Sequence, residues 1–268
     1  EVTNEGTVSI TNLNVESGSI FYHNAGSVGV TGNLQIGSNS TIYLNTSLSV
    51  GSLNILSGGT LTHSKGDPDF DLRVGGDLII ESGGSIDVSA KGYAAESGPG
   101  AGNSGWRTGG GGGYGGDGGS VTDASGGSAY GSMTAPSDLG SGGGGATGCL
   151  SSMPGGAGGG LVKVDVGGNL TIDGMIAANG EDGMNGRGGG SGGSIYIVAH
   201  TLSGTGLATA NGGRGVYVYG AGGGGGGRIA VYYQDKSGFL GVITVMGGSG
   251  YQYGQEGMIY LKQGEEEG

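Results

Sequence analysis

The stretch LIIESGGSIDV, residues 78–88, decides the fold. Leu78 and Ile80, then Ile86 and Val88, stand two residues apart, the period of a β-strand whose alternate side chains face one side. Between the two pairs, Ser82-Gly83-Gly84 supplies a tight turn, because glycine reaches positive φ without a Cβ clash. The stretch therefore reads as strand, turn, strand.

The pattern recurs in both directions. It runs LNVESGSIFY from Leu13, LQIGSNSTIYL from Leu34 and LNILSGGTLTH from Leu53, then LTIDGMIAAN from Leu170, LSGTGLATAN from Leu202 and FLGVITVMGG from Phe239. Ahead of these units lies a further short strand: Val8-x-Ile10, Val28-x-Val30, Leu48-x-Val50, Leu72-x-Val74, Val162-x-Val164-x-Val166, Ile195-x-Ile197, Ile229-x-Val231 and, last, Met258-x-Tyr260. Most are followed by a Gly-Asn, Gly-Ser or Gly-Gly-Asx corner. The repeat thus has three strands and three corners over about 20 residues, the period of a solenoid coil. Leu78/Ile80, Ile86/Val88, Ile195/Ile197 and Ile229/Val231 are expected to point into one narrow core, and about seven coils stacked at roughly 4.8 Å make a short rod.

Seventy-four of the 268 residues are glycine, and they cluster. The third corner is short at His23–Ser27 and near Asn45–Ser47. It swells to Ser89–Gly160, Asn179–Ser194, Asn211–Arg228 and Gly247–Gly257. If the strands stack, every insert leaves from the same corner, and the flanks Ala178-Asn179-Gly180 and Ala210-Asn211-Gly212 occupy equivalent exits. Glycine has no side chain to hold neighbouring chains apart, so the inserts are expected to form a bundle of polyproline-II segments bonded N–H to C=O. Segments Gly109–Gly116, Gly186–Gly193 and Gly222–Gly227 should lie side by side. The predicted fold is all-β: a right-handed parallel β-helix (solenoid) with an inserted glycine-rich polyproline-II bundle. Residues 1–88 are coils with short turns, 89–160 the large insert, and 161–268 coils with glycine-rich inserts, in one continuous solenoid.

Composition narrows the function. Four prolines and no strict glycine triplet exclude collagen. A net charge of −12 with ten Lys plus Arg argues against nucleic acid, which needs basic clusters. No stretch is apolar and long enough to insert in a membrane. The lone Cys149 builds no internal disulfide. The opening EVTNEGTV is already strand-like and reads as a mature or excised form rather than a signal peptide. An acidic, Gly/Ser/Thr/Asn-rich, charge-poor surface points to an extracellular or cell-surface location.

SGGSIYIVAHTLSGTGLATANGG, followed by GGGGGGRIAVYY, resembles a glycine-rich repeat of large secreted bacterial and archaeal surface proteins. The resemblance covers roughly Leu161–Lys262, while Val2–Val88 resembles right-handed β-helix proteins more loosely. Similar glycine bundles occur in the extracellular region of anaplastic lymphoma kinase receptors and in snow-flea antifreeze proteins. The resemblance implies a fold and an extracellular setting, and no specific activity. The receptor's cysteine pattern is missing.

Candidate sites follow from residue type. Asp67-x-Asp69-x-Asp71 is the densest carboxylate cluster and would take Ca²⁺ through oxygen ligands, although Leu72 stands where an EF-hand needs glycine. Asn179, Glu181 and Asp182 form a second oxygen cluster. Asn39, Asn45 and Asn169 head glycosylation sequons. Both readings compete with plain solvated loops. Enzyme chemistry on a β-helix needs several carboxylates plus Arg or Lys on neighbouring strands. Lys163, Arg73 and Arg228 stand apart from carboxylate pairs, and His23, His63 and His200 fall in different coils, so the chain reads as a non-enzyme. Thr60-x-Thr62 is not continued as an ice-binding array. The later tyrosines (Tyr217, Tyr219, Tyr232, Tyr233, Tyr251, Tyr253, Tyr260) and Trp106 suit sugar stacking, a protein interface, or simple capping of strand edges.

The leading functional reading is an extracellular structural protein, a self-associating subunit of a filament, matrix or surface layer whose partners are copies of itself. The surfaces for this are Val8, Ile10 and Leu13 at one coil end and Ile259 and Leu261 at the other, with the acidic tail Glu265–Glu267 tuning it. The alternative is a carbohydrate-binding adhesin module of a larger surface protein, with polysaccharide as partner and neighbouring coils covering the ends. A polysaccharide lyase comes third.

Overall fold

The computed structural model describes residues 2–4, 6–148, 154–215 and 220–264. Cys149, Tyr217, Tyr219 and Glu265–Glu267 lie outside the described residues. Among those described the chain is all-β, built from eighteen strands in two sheets.

The first sheet contains, in order, β1 (Val2–Asn4), β4 (Ile20–His23), β6 (Thr41–Leu44), β8 (Thr60–Thr62), β11 (Ser85–Asp87), β13 (Met175–Ala177), β15 (Leu207–Thr209) and β17 (Val242–Thr244). The second runs from β2 (Thr7–Ile10) through β5 (Ser27–Ile36), β7 (Ser47–Ile55), β10 (Leu78–Ile80), β12 (Leu161–Ile172), β14 (Ser194–Gly204) and β16 (Arg228–Phe239) to β18 (Met258–Gln263). Two short strands join it sideways: β3 (Leu13–Val15) on β5, and β9 (Asp71–Val74) between β7 and β12. Every pairing between these strands is parallel, each sheet grows in chain order, and the chain passes from one sheet to the other and back.

The sequence repeat becomes columns of like side chains. Leu13, Leu34, Leu53, Leu78, Leu170 and Leu202 follow one another in register, as do Ile36, Ile55, Ile80 and Ile172. Across the core, Ile42, Leu61, Ile86, Ile176 and Ala208 form the facing column. Apart from the terminal Leu13, these side chains are buried in one cluster or, for Ala208, beside it. Each fully buried Leu or Ile contributes roughly 1.5–3 kcal/mol, so the columns are the main source of stability.

The predicted turn chemistry holds in the early passes. Gly18, Gly58 and Gly83 have positive φ, and Asn39 fills the same place at φ 55°. These turns stack: Gly18 N–H donates to Ser38 O, Asn39 to Gly58 O, and Gly58 to Gly83 O. At Asp173-Gly174 the expected positive φ is not used; Gly204, on the next pass, has it instead. The expected Gly-Asx corner also differs. In β5, β7 and β12 the chain crosses it without leaving the sheet, with register shifts at Val30/Asn33 and Val166/Asn169; β14 carries no glycine at that place and shifts register at Thr201/Ser203. Stacked amides carry the ladder through, as in Gly76 N–H to Gly51 O and Gly168 N–H to Gly76 O. The corner separates strands only at β2/β3 and β9/β10.

The inserts do share one corner. The glycine runs return to the second sheet at Leu161, Ser194, Arg228 and Met258, which are register partners in adjacent strands. Outside the strands the runs bond to one another in a strict three-residue rhythm. Gly109 and Gly112 donate to Gly186 and Gly189; Gly189 and Gly192 donate to Gly222 and Gly225; Gly222 and Gly225 donate back to Gly109 and Gly112. The six bonds measure 2.8–3.1 Å and close a ring of three parallel segments. Antiparallel neighbours take other donors: Gly110 and Gly113 reach Asn103 and Gly100, and Gly224 and Gly227 reach Gly213 and Ala210. These segments are buried.

A Cβ built at Gly224 would fall on the Gly190 carbonyl, backbone of another segment that has no rotamer to escape with. Gly224→Val should therefore destabilise the chain by about 1–3 kcal/mol. Gly29→Ala, with nothing within 4 Å of the new Cβ, should stay within about 0.5 kcal/mol of the parent. Thermal unfolding of the two variants measures the contrast.

Candidate assembly surfaces and ligand sites

Both outer edges of the sheets present apolar side chains. At one edge Val2 and Ile20 are exposed, and Val8, Ile10, Leu13 and Phe21 are half-buried against the core. Val2, Leu13, Val15, Ile20 and Phe21 line a hollow of about 250 Å³ there. At the other edge Val242, Met258, Ile259 and Leu261 are exposed and Leu240 projects with 79% of its surface free. Ile259 and Leu261 continue the buried columns of Ile229 and Val231, with no further strand beyond them among the described residues. All five predicted association residues thus lie on the two edges. Val2, Ile20, Leu240, Val242 and Met258 join them. Ile20 was legible in the strand after the first turn, whereas Leu240 breaks the alternation and carries no periodic signal.

The carboxylates of Asp67, Asp69 and Asp71 are not gathered. Asp67 Oδ1 accepts the Asp69 N–H at 2.9 Å, a local turn. Asp71 Oδ2 is held by Arg73 at 3.1 Å and Lys163 at 3.5 Å. Lys163 and Arg73, read from sequence as apart from carboxylate pairs, therefore converge on one carboxylate, because parallel pairing sets Asp71 beside Lys163 and Arg73 beside Asp165. Both cations are substantially exposed, so these pairs add little stability. Asn179, Glu181 and Asp182 are spent separately. Asn179 Oδ1 accepts from Thr209 Oγ1 and the Asn211 N–H, Glu181 Oε2 from the Ala157 N–H, and Asp182 from the Arg214 N–H and guanidinium. No set of three or more His, Cys, Asp or Glu side chains is grouped for a metal among the described residues.

These contacts belong to a wider device. Side-chain oxygens of Asn12, Asn45, Asp77, Asp173, Asn179, Asp182 and Asn211 each accept a backbone N–H from the next pass, at 2.7–3.0 Å. Such a bond supplies an acceptor for an amide at a corner, where the ladder is interrupted. The sequon residues divide accordingly. Asn39 and Asn169 are exposed, while the Asn45 amide is committed to Asn24 Oδ1 and Ser64 Oγ.

Several polar and aromatic groups tie the large insert to the second sheet. Tyr114 is fully buried and its hydroxyl meets Ser194 Oγ at 2.6 Å; burial pushes its phenol up to about 12. Arg228 donates to Tyr130 O and lies over the Tyr114 ring. Tyr196, Tyr232 and Tyr260 form a row of rings tilted by 53°, with centroids 5.8 and 5.7 Å apart, on the outer face of the sheet, and Tyr232 donates to Thr134 O. Tyr114 and Tyr130 were not legible as partners of Ser194 and Arg228, because 80 and 98 residues separate them in the chain. Tyr251 and Tyr253 are instead exposed.

Comparison with models of known protein families, with curated proteins and with solved structures found no match.

His63 is the buried histidine beside the inserts. Its Nδ1 pairs with Ser64 O at 2.7 Å and its Nε2 accepts the Leu161 N–H at 3.2 Å. That arrangement fits the neutral ring, since a proton on Nε2 would oppose a donor. Burial is the main cause that lowers its pKa, against smaller raising contributions from the Ser64 carbonyl and Asp67. The folded value lies below the ordinary 6.5, so this contribution to stability is present above 6.5 and lost as pH falls through the folded value. Burial shifts His23 the same way. A histidine NMR titration should show a His63 midpoint below 6.5, and His63→Gln should weaken the pH dependence of unfolding on the acid side of neutrality.

Proposed function

We propose that the two sheets are faces of a right-handed parallel β-helix, that the glycine runs form a polyproline-II bundle on its side, and that the chain is an extracellular structural subunit that joins copies of itself head to tail. Strand alternation between sheets and like-residue columns support the helix, and parallel crossovers are right-handed in nearly all known cases. The three-residue hydrogen-bond rhythm supports polyproline II, which has three residues per turn.

One observation carries the assembly reading: an apolar hollow on one parallel edge and projecting apolar side chains on the other. Parallel edges are heterologous, so one copy's β17 and β18 can receive the next copy's β1 and β2 and continue both ladders. A contact of that kind that does not close builds a filament. Removing the exposed apolar area from water contributes roughly 25 cal/mol per Å². The net charge of −12 opposes close approach, so added salt should promote assembly. The lyase reading stands last, because Asp71 is set between two cations rather than against a second carboxylate.

Sedimentation of the chain tests the proposal. It should form salt-promoted oligomers, visible as filaments by electron microscopy. Ile259→Asp should abolish growth, yet keep the opposite edge and so cap parental filaments at low molar ratio. A parent that stays monomeric at high protein concentration would overturn the reading.

A further inference from the structure

The chain's single tryptophan, Trp106, lies in the large glycine-rich insert, and 66% of its surface is exposed. It is nonetheless firmly placed. The Trp106 N–H donates to Asp123 Oδ2 at 2.7 Å, and Thr108 Oγ1 donates to Asp123 Oδ1. The adjoining Gly105 O accepts from both the Thr147 N–H and its hydroxyl. One side of the indole lies on Gly148, where a Cβ would collide with the fused ring atoms. Tyr251 is 63% exposed and is seated in the same way: its ring rests on Gly220, at positive φ, and its N–H donates to Ala221 O.

Trp106 and Tyr251 line one open cleft of about 270 Å³ with Arg107, Thr122 and Asp123. We infer that this cleft binds a neutral pyranose unit of a glycan chain. A pyranose has an apolar C–H face that stacks on an aromatic ring, and hydroxyls that both donate and accept. The cleft matches each feature: two aromatic side chains, a guanidinium donor, a carboxylate acceptor and a threonine hydroxyl. Both rings are held from behind by glycine backbone, so little side-chain freedom is lost on binding. The small, open cleft suits one ring of a longer chain passing across it. A polyanion is disfavoured, because the chain carries −12 and only ten Lys plus Arg. Tyr251 belongs to the insert that joins β17 to β18, and the inference rests on the cleft itself rather than on assembly.

The lone indole reports binding directly. Purified protein is titrated with linear oligomers of glucose, of mannose and of N-acetylglucosamine while tryptophan emission is followed. At least one series should give a saturable change in intensity with a blue shift. Tyr251→Ala should weaken that binding about tenfold, the equivalent of one lost stacking contact, while Tyr251→Phe leaves it unchanged. Trp106→Ala should abolish the heat of binding in calorimetry, and circular dichroism unchanged from the parent shows that these surface variants fold. Flat emission with all three series, or parental affinity in Tyr251→Ala, would overturn the inference. So would an emission change that follows protein concentration without sugar, which would assign the cleft to a contact between copies.

Discussion

Every buried amide needs an acceptor, and in this chain a large share of the buried backbone has no side chains around it. That constraint governs the rest of the structure. In the sheets the need is met by parallel ladders. In the inserts it is met by segments that touch backbone to backbone, which only glycine allows at this separation. At Gly109, Gly188, Gly222 and Gly224 an added Cβ would land on another segment's carbonyl. The glycine content is a packing requirement here, where elsewhere it would be a source of disorder.

The two halves of the solution are unequal in strength. Ordering one residue's backbone costs roughly 1–2 kcal/mol, and a hydrogen bond returns a net of only about 0.5–1.5 kcal/mol. A lattice of glycine alone is therefore near balance, with almost no apolar side chain to help it. The sheets tip that balance. Gly160, Gly193, Gly227 and Gly257 each run directly into a strand, and the four strand starts are in register. The inserts thus emerge already aligned, and the entropy of bringing them together is largely met by the leucine and isoleucine columns. Tyr114, Arg228 and Tyr130 add a second anchorage between insert and sheet.

What was legible from sequence was whatever repeats. Leu-x-Ile followed by Ser-Gly-Gly predicted the strands, the positive φ at Gly58 and Gly83, and the buried columns, because each pass repeats the same local physics. The common exit of the inserts was legible for the same reason. Features that depend on one pass meeting another were not. The Gly-Asx corner looked like a strand break, yet neighbouring amides carry the ladder across it. Asp67, Asp69 and Asp71 looked like a cluster, but Asp71 opens β9 and is held by Arg73 and Lys163, while Asp67 and Asp69 stay in the loop before it. Asn179 and Asp182 looked like ligands, and their oxygens serve the amides of Asn211 and Arg214 instead. Trp106 and Tyr251 lie in different inserts, so no spacing rule joins them.

The inserts are ordered through backbone bonds between segments rather than being flexible loops. Amide hydrogen exchange resolved to single residues tests it most directly. Strong protection is expected at Gly112, Gly189, Gly192, Gly222 and Gly225, comparable to that of Leu78 and Ile195 in the strands, and rapid exchange at the exposed residues Ser132–Thr134 of the large insert that also holds Gly112. Exchange of the five glycines at the rate of a free peptide, with the strands still protected, would contradict it.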